Sequence, residues 1–270
     1  MVTSDHRFAG TIPEIYDRLF VPLIFAFYAD DLARRIAALA PKHILETAAG
    51  TGALTRALAA RLPPETSIVA TDFNPPMLAR AAARQAGETR ITWQQADALA
   101  LPFTDESFDV VACQFGAMFF PDKPQGYAQA RRVLRRGGTF LFNVWDRIED
   151  NEFADVVTQA LAGLFPVDPP RFLARTPHGY CDPQRIRDDL RAAGFTRISI
   201  EPLIGTSTAA TPRDPAIAYC QGSPLRNEIE ARNPAGLEAA TAVAAAALAR
   251  RFGEGPIAGR IKALVVAAAR

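Results

Sequence analysis

Apolar positions along the chain alternate between short continuous runs and helical spacing. "HILET" (43–47) is a short apolar run, and "GALTRALAARL" after it sets Leu54, Leu58 and Leu62 four residues apart, on one face of a helix. "SIVATD", "RITWQQA", "FDVVACQF" and "TFLFNVW" predict four further strands, the third so continuously apolar that both of its faces must be covered. Between them, "PPMLARAAARQAG" opens on Pro75 and Pro76 and closes at Gly87, as a helix does. "PQGYAQARRVLRRGG" predicts a helix with cations toward its end, stopped by Gly137 and Gly138. Five strands alternating with helices predict a doubly wound, mostly parallel sheet, because each parallel pairing needs a crossover.

Two excursions follow. Residues 148–177 hold a helical run, "EFADVVTQALAGLF", and a proline-rich loop; "CDPQRIRDDLRAAGF" and "TRISIEPL" then resume as a helix and a sixth strand. Residues 206–257 carry further helical patterns, and "RIKALVVAAAR" closes the chain as either a strand or a helix. Ahead of the first strand lies an apolar segment bearing Ile12, Ile15, Leu19, Leu23, Ile24 and Phe27, too much apolar surface to leave in water. Pro13 and Pro22 should divide it into short helical pieces that need packing for order, which suits a lid ordered by a ligand at the carboxyl end of the sheet.

Composition narrows the function classes. The chain has 270 residues with 30 Lys+Arg against 29 Asp+Glu, so no net field points to nucleic acid or an anionic membrane. Cys113, Cys181 and Cys220 lie far apart without C-x-x-C spacing, which argues against a zinc site or disulfide framework and suits the reducing cytoplasm. "LFVPLIFAFYA" (19–29) is too short to span a membrane and too far from Met1, with acids before it, for a signal peptide.

The chemistry concentrates in "ETAAGTG". Gly50 and Gly52 permit a sharp turn that exposes free N–H groups at the next helix start. Glu46 ahead of them is unsuited to a pyrophosphate and suits a ligand with a cationic amino group. Asp72, about 20 residues beyond Gly52 at the end of the second strand, can take both hydroxyls of a ribose. Asp97, after the third strand, can accept from an exocyclic adenine amine, or can merely cap a turn. Together the three acids suit one nucleoside cofactor.

In order and spacing, "ILETAAGTGALT", "VATDFNPPML", "ADALALPFTDESFDVVACQFGAMFF" and "RRVLRRGGTFLFNVWD" resemble the class I S-adenosylmethionine-dependent methyltransferases. More narrowly they resemble the group containing the ubiquinone/menaquinone biosynthesis (type 11) C-methyltransferases. The resemblance implies a Rossmann-like seven-stranded sheet with an N-terminal helical lid and an inserted helical cap, S-adenosylmethionine as cofactor, and methyl transfer to a small molecule. It implies a lid over 1–40, a core over 41–147 completed by 178–205 and 258–270, and substrate-cap insertions over 148–177 and 206–257. The cofactor residues it implies are Tyr16, Glu46, Thr47, Ala48, Ala49, Gly50, Gly52, Asp72, Phe73, Met77, Asp97, Ala98, Gln114 and Phe115. One departure is Ala48, which stands where the family's pattern has its first glycine and takes a positive φ less cheaply.

The sulfonium supplies an activated methyl, so a dedicated base is optional and no catalytic residue is assigned. His178, beside Tyr180 in sequence terms, is the one histidine placed near a pocket mouth; lone histidines more often sit as surface or satisfied residues. Tyr16, Tyr28, Phe115, Met118, Phe119, Phe172, Tyr180 and Tyr219 favour an apolar or aromatic acceptor of small or medium size. A non-catalytic S-adenosylmethionine-binding module remains an alternative, and a nicotinamide-dependent oxidoreductase is disfavoured by Glu46 and the missing third glycine. The sequence leaves the oligomeric state open, a homodimer included.

Overall fold

The computed structural model describes Asp5 and residues 8–270, so residues 1–4, 6 and 7 of the expected lid lie outside the described residues. The chain divides into two compact units. A sheet unit comprises residues 26–144, 180–203 and 264–270, and a helical unit comprises 1–25, 145–179 and 204–263.

The sheet has seven strands in the order β3-β2-β1-β4-β5-β7-β6. They are β1 (His43–Glu46), β2 (Ser67–Asp72), β3 (Ile91–Gln95), β4 (Phe108–Gln114), β5 (Leu134–Trp145), β6 (Arg197–Ala209) and β7 (Ile257–Ala269). The closing segment is thus a strand. β1 pairs parallel with β2 and β4, β2 with β3, and β4 with β5. β7 is antiparallel to β5: the Gly137 N–H donates to the Arg270 carbonyl and the Arg270 N–H to the Gly138 carbonyl, while the Asp146 N–H donates to the Lys262 carbonyl eight residues earlier on β7. Strand order reverses at β1 and β4, where a doubly wound sheet opens its ligand crevice.

In the sheet unit, α2 (Ala26–Ala37) and α3 (Ala53–Arg61) pack Leu32, Ile36, Leu54 and Leu58 onto Ile44, Ile68 and Val110 of the strands. α4 (Pro75–Arg84) follows β2, α5 (Lys123–Val133) joins β4 to β5, and α8 (Pro183–Ala192) precedes β6. The predicted end of α5 needs correction. The helix stops at Val133, and Leu134 is already extended at φ −69° and ψ 141°. Gly137, at φ +81°, and Gly138 lie inside β5, where the pairing with β4 shifts register between Phe108 and Val110. A Cβ on Gly138 would stand 2.8 Å from the Asp109 carbonyl oxygen, so these glycines serve an irregular strand instead of a helix cap.

The N-terminal segment also differs from expectation. Helix runs unbroken from Ile12 to Ala37: α1 (Ile12–Ile15), a π-helical stretch (Tyr16–Phe25), then α2. Pro13 sits in the first turn, where its missing N–H costs nothing, and Pro22 is absorbed inside the wide π-helical stretch. The division between units falls within the segment read as one lid, because α2 packs on α3 while residues up to Phe25 belong to the helical unit. The rest of that unit is α6 (Glu152–Leu164), α7 (Phe172–Arg175), α9 (Arg213–Gln221), α10 (Leu225–Arg232) and α11 (Leu237–Phe252), with α11 packing on α6 and α9.

Candidate cofactor site

β1 ends on Glu46, and the chain turns through Thr47–Gly52 into α3 under tension from both neighbouring strands. The Thr47 N–H donates to the Ala112 carbonyl of β4 and the Ala49 N–H to the Thr71 carbonyl of β2, each at 2.8 Å. The turn needs left-handed backbone at Ala48 (φ 55°), Gly50 (φ 57°) and Gly52 (φ 79°). Glycine takes that conformation freely, whereas an L-residue such as Ala48 pays roughly 1–2 kcal/mol. A second strained residue, Phe115 (φ 50°), follows β4. Its N–H is shared between the carbonyl and side-chain oxygens of Asn143 at 3.2 and 3.1 Å. No side chain caps α3, so its first N–H groups face the turn unclaimed by a cap.

Glu46 is 1% exposed. Its Oε2 accepts from the Thr55 hydroxyl at 2.7 Å, while Oε1 is buried with no hydrogen-bond partner. Burial pushes this carboxyl up to about 8, against the opposing effects of the Thr55 bond and the nearby Arg56 charge. It is a neutral acid at neutral pH, with an acceptor in reserve for a cation.

Asp72 ends β2, also buried. Its Oδ2 accepts from the Gly50 N–H at 2.8 Å and its Oδ1 from the Asn74 N–H at 2.7 Å, which ties the acid to the glycine turn. Burial raises its pKa, and the Asn74 and Gly50 N–H groups oppose that rise. Met77 on α4 closes over the turn: a Cβ on Gly50 would lie 3.7 Å from its Cε. Phe73 beside it is 60% exposed, a flat apolar face offered outward at the end of β2.

Asp97 is exposed, and its Oδ1 accepts from the Leu99 N–H at 2.9 Å, so it does cap a turn while its other oxygen stays available. Ala98 follows it in that turn. Gln114 ends β4 opposite Asn143 of β5, and Phe115 packs edge-on against Tyr28 at 5.3 Å. The expected cofactor residues from Glu46 to Phe115 all belong to the sheet unit. Tyr16 belongs to the helical unit, where it stacks on Phe25 at 5.0 Å. The aromatic set expected to line a substrate cavity is likewise divided: Tyr16, Phe172 and Tyr219 belong to the helical unit and the others to the sheet unit. Tyr180, one of the latter, is engaged, receiving a bond from the Tyr127 hydroxyl at 3.2 Å and donating to Asp189 at 2.7 Å.

Three residues were not anticipated. Asn143 is fully buried, and its Nδ2 lacks a partner; an amide within the apolar run "TFLFNVW" was its signal. Thr51 Oγ1 in the turn is another buried, unpartnered atom. Gly116 is required because a Cβ there would meet the Ala48 Cβ at 2.3 Å and Cys113 Sγ at 2.8 Å. Among the described residues no cluster of three His, Cys, Asp or Glu is placed to hold a metal, and no helix is long and apolar enough to cross a membrane.

The comparisons with known proteins agree with this geometry. A family model described as a methyltransferase domain matches residues 44–138. The demethylmenaquinone methyltransferase of Thermus thermophilus is 33% identical over 171 residues, 58% of this chain and 76% of the relative. The ubiquinone/menaquinone biosynthesis C-methyltransferase of Zymomonas mobilis is 28% identical over 191 residues, 66% of this chain and 77% of the relative. A solved structure from Bacillus halodurans, assigned as a methyltransferase, shares the fold with a TM-score of 0.57 at 21% identity, covering 88% of this chain and 97% of that one. The fold and the turn thus define an S-adenosylmethionine-dependent methyltransferase of class I, acting on a small molecule. Within that class, the chain belongs to the ubiquinone/menaquinone type of methyltransferase.

Proposed function

We propose that the sheet unit holds S-adenosylmethionine along the ends of β1, β2 and β4, and that the methyl passes to a small or medium aromatic acceptor of the quinol kind. The observation that carries the cofactor placement is Glu46 Oε1, a buried acceptor with no protein partner beside a left-handed turn. An ammonium group is the donor that such an oxygen lacks, and binding it would restore the carboxylate to its charged form. Asp72, already oriented by the Gly50 and Asn74 N–H groups, keeps lone pairs for a ribose diol. Phe73 and Met77 supply apolar faces for the adenine, and Asp97 keeps one oxygen for its amine. Thr47, Ala48, Ala49, Gly50 and Gly52 contribute backbone, as do Ala98, Gln114 and Phe115.

The cofactor's sulfonium supplies an activated methyl group. This chain's part is then to fix the donor, exclude water and orient the acceptor, and the preset turn does the first of these without further ordering. The helical unit, with residues 148–177 and 206–257, is the part we assign to acceptor selection. The names of the relatives point to a quinol acceptor, and the aromatic side chains of the helical unit suit one. Three free cysteines suit the cytoplasm as its compartment.

The test is transfer of labelled methyl from S-adenosylmethionine to a panel of quinols, phenols and amines, with cofactor affinity measured by calorimetry. Asp72→Ala should weaken the cofactor by roughly 1.5 to 3 kcal/mol, the range for hydrogen bonds to a charged partner. Parent-like binding by that variant would sink the placement, and turnover of amines alone would sink the aromatic acceptor.

A further inference from the structure

The sheet unit carries an amide where its packing asks for an apolar side chain. Asn143 lies in β5, within "TFLFNVW", and is fully buried. Its Oδ1 accepts from the Phe115 N–H at 3.1 Å, which orients the amide, and Nδ2 is left buried with no hydrogen-bond partner among the described residues. The bond is not needed to satisfy the N–H, because the Asn143 backbone carbonyl accepts from it as well, at 3.2 Å. A leucine at this position would keep the backbone acceptor and remove the orphaned donor. Asn143 is therefore unfavourable to the fold, and residues of that kind concentrate where a site needs a particular geometry.

The geometry held here is that of Phe115. It stands at φ 50°, a conformation that a bulky L-residue rarely adopts. Two oxygens on one N–H fix the peptide plane about which Phe115 turns. The ring is held separately, edge-on against Tyr28 at 5.3 Å, whose hydroxyl donates to the Leu203 carbonyl at 3.2 Å. Gly116 follows, and a Cβ on it would stand 2.3 Å from the Cβ of Ala48, itself left-handed at φ 55°. Two strained residues thus flank one contact between the turn after β1 and the backbone after β4, and all of these residues belong to the sheet unit. Strain of this sort persists only where the surroundings over-determine it, and it gathers at functional sites.

We propose that Asn143 is a positioning residue for the cofactor, whose Oδ1 keeps Phe115 left-handed so that the turns after β1 and β4 are preset for binding. The role rests on the cofactor placement proposed above. With the backbone preset, no strain has to be introduced on binding; without the amide oxygen, affinity falls with the fraction of molecules that hold the competent form.

The experiment uses the full chain, with affinity for S-adenosylhomocysteine read by calorimetry and stability by ligand-free thermal melts. Asn143→Leu should melt at or above the parent and bind about 10- to 100-fold more weakly, the penalty of regaining a strained backbone. Asn143→Asp keeps an oxygen for the Phe115 N–H and loses only Nδ2. It should melt below the parent, because it buries an acid, and still bind like the parent. A residue that merely supported the fold would move stability and affinity together. Parent-like binding by the leucine variant, a leucine variant that loses stability along with affinity, or weak binding by a folded aspartate variant overturns the proposal. A reading on the parent alone stands if either variant fails to fold. Gln114–Phe115 is the one Gln–Phe pair in the sequence, so labelling with 13C-glutamine and 15N-phenylalanine isolates the Phe115 amide. Its hydrogen exchange should be slow in the free protein and unchanged by S-adenosylhomocysteine; exchange that slows on binding would mean that the ligand orders Phe115, and the proposal would fall. Failure of the reading beneath it is separately visible: Asp72→Ala binding like the parent removes the cofactor placement, whereas weak binding by Asp72→Ala beside parent-like binding by Asn143→Leu removes the role of Asn143 alone.

Discussion

Buried carboxylates in the two units meet opposite fates. In the helical unit, Asp5 and Glu228, 1% and 8% exposed, share the Arg175 guanidinium at 2.6 and 2.7 Å. Their remaining oxygen is also used: Asp5 receives the Thr176 hydroxyl, and Glu228 accepts from the Arg171 and Phe172 N–H groups. In the sheet unit, Glu46 is as deeply buried as Asp5, yet one oxygen holds a hydroxyl and the other holds nothing. Burying a charge is expensive unless it is paired, so the first arrangement is self-sufficient and the second is unfinished. The difference separates an acid that joins chain segments from one kept for a ligand.

Glu46→Gln breaks the comparison with the largest expected effect. A carboxyl raised from 4.5 to about 8 holds a proton in the folded state that the unfolded chain has released, so its contribution to stability is complete below pH 4.5 and is lost as pH rises through 8. The glutamine variant should escape this decline and exceed the ligand-free parent by up to about 5 kcal/mol above that range, read by urea denaturation at several pH values. Its cofactor affinity should nevertheless fall. Calorimetry in buffers of different ionisation enthalpy should show the parent releasing close to one proton on binding S-adenosylhomocysteine at pH 7, and the variant none. A Glu46→Gln chain that lost stability and released protons normally would make Glu46 a structural acid like Asp5.

Arg175→Met is the reciprocal experiment. Two buried acids would lose their cation, and because the guanidinium is partly exposed the cost should be about 3 kcal/mol in urea denaturation, at the lower end for breaking a buried pair. Affinity for S-adenosylhomocysteine should be unchanged in the folded protein. A loss of affinity matching Glu46→Gln would erase the distinction between the units.

Smaller effects sharpen the sheet-unit side. Gly116→Ala places a methyl 2.3 Å from the Ala48 methyl and should cost roughly 1–3 kcal/mol in thermal melts. Ala48→Gly should gain about 0.5 kcal/mol by relieving the left-handed strain, net of glycine's greater unfolded freedom. The two should couple, with Ala48→Gly restoring part of what Gly116→Ala loses. Strict additivity would mean that Cys113, the other neighbour, sets the limit at Gly116.

Taken by itself, the sequence determined the alternation of strands and helices, the glycine turn after the first strand, and the acids Glu46 and Asp72 at strand ends. These are local properties: a two-residue period, a helical stripe and the few residues that tolerate a tight turn are written in neighbouring positions. It left Asp97 between two roles, and the structure finds a turn cap with one oxygen to spare. What tertiary structure decided came from residues distant in the chain. Asn143 meets the Phe115 N–H across two paired strands, Gly116 is forced by a methyl on another loop, and Gly137 and Gly138 bend a strand where the local pattern reads as a helix stop. The unbroken helix through Pro22 and the sharing of Arg175 by Asp5 and Glu228 have the same origin. Whether a buried polar atom finds a partner depends on which segments packing brings to it. That is why the unpaired oxygen of Glu46 becomes visible only in the folded chain.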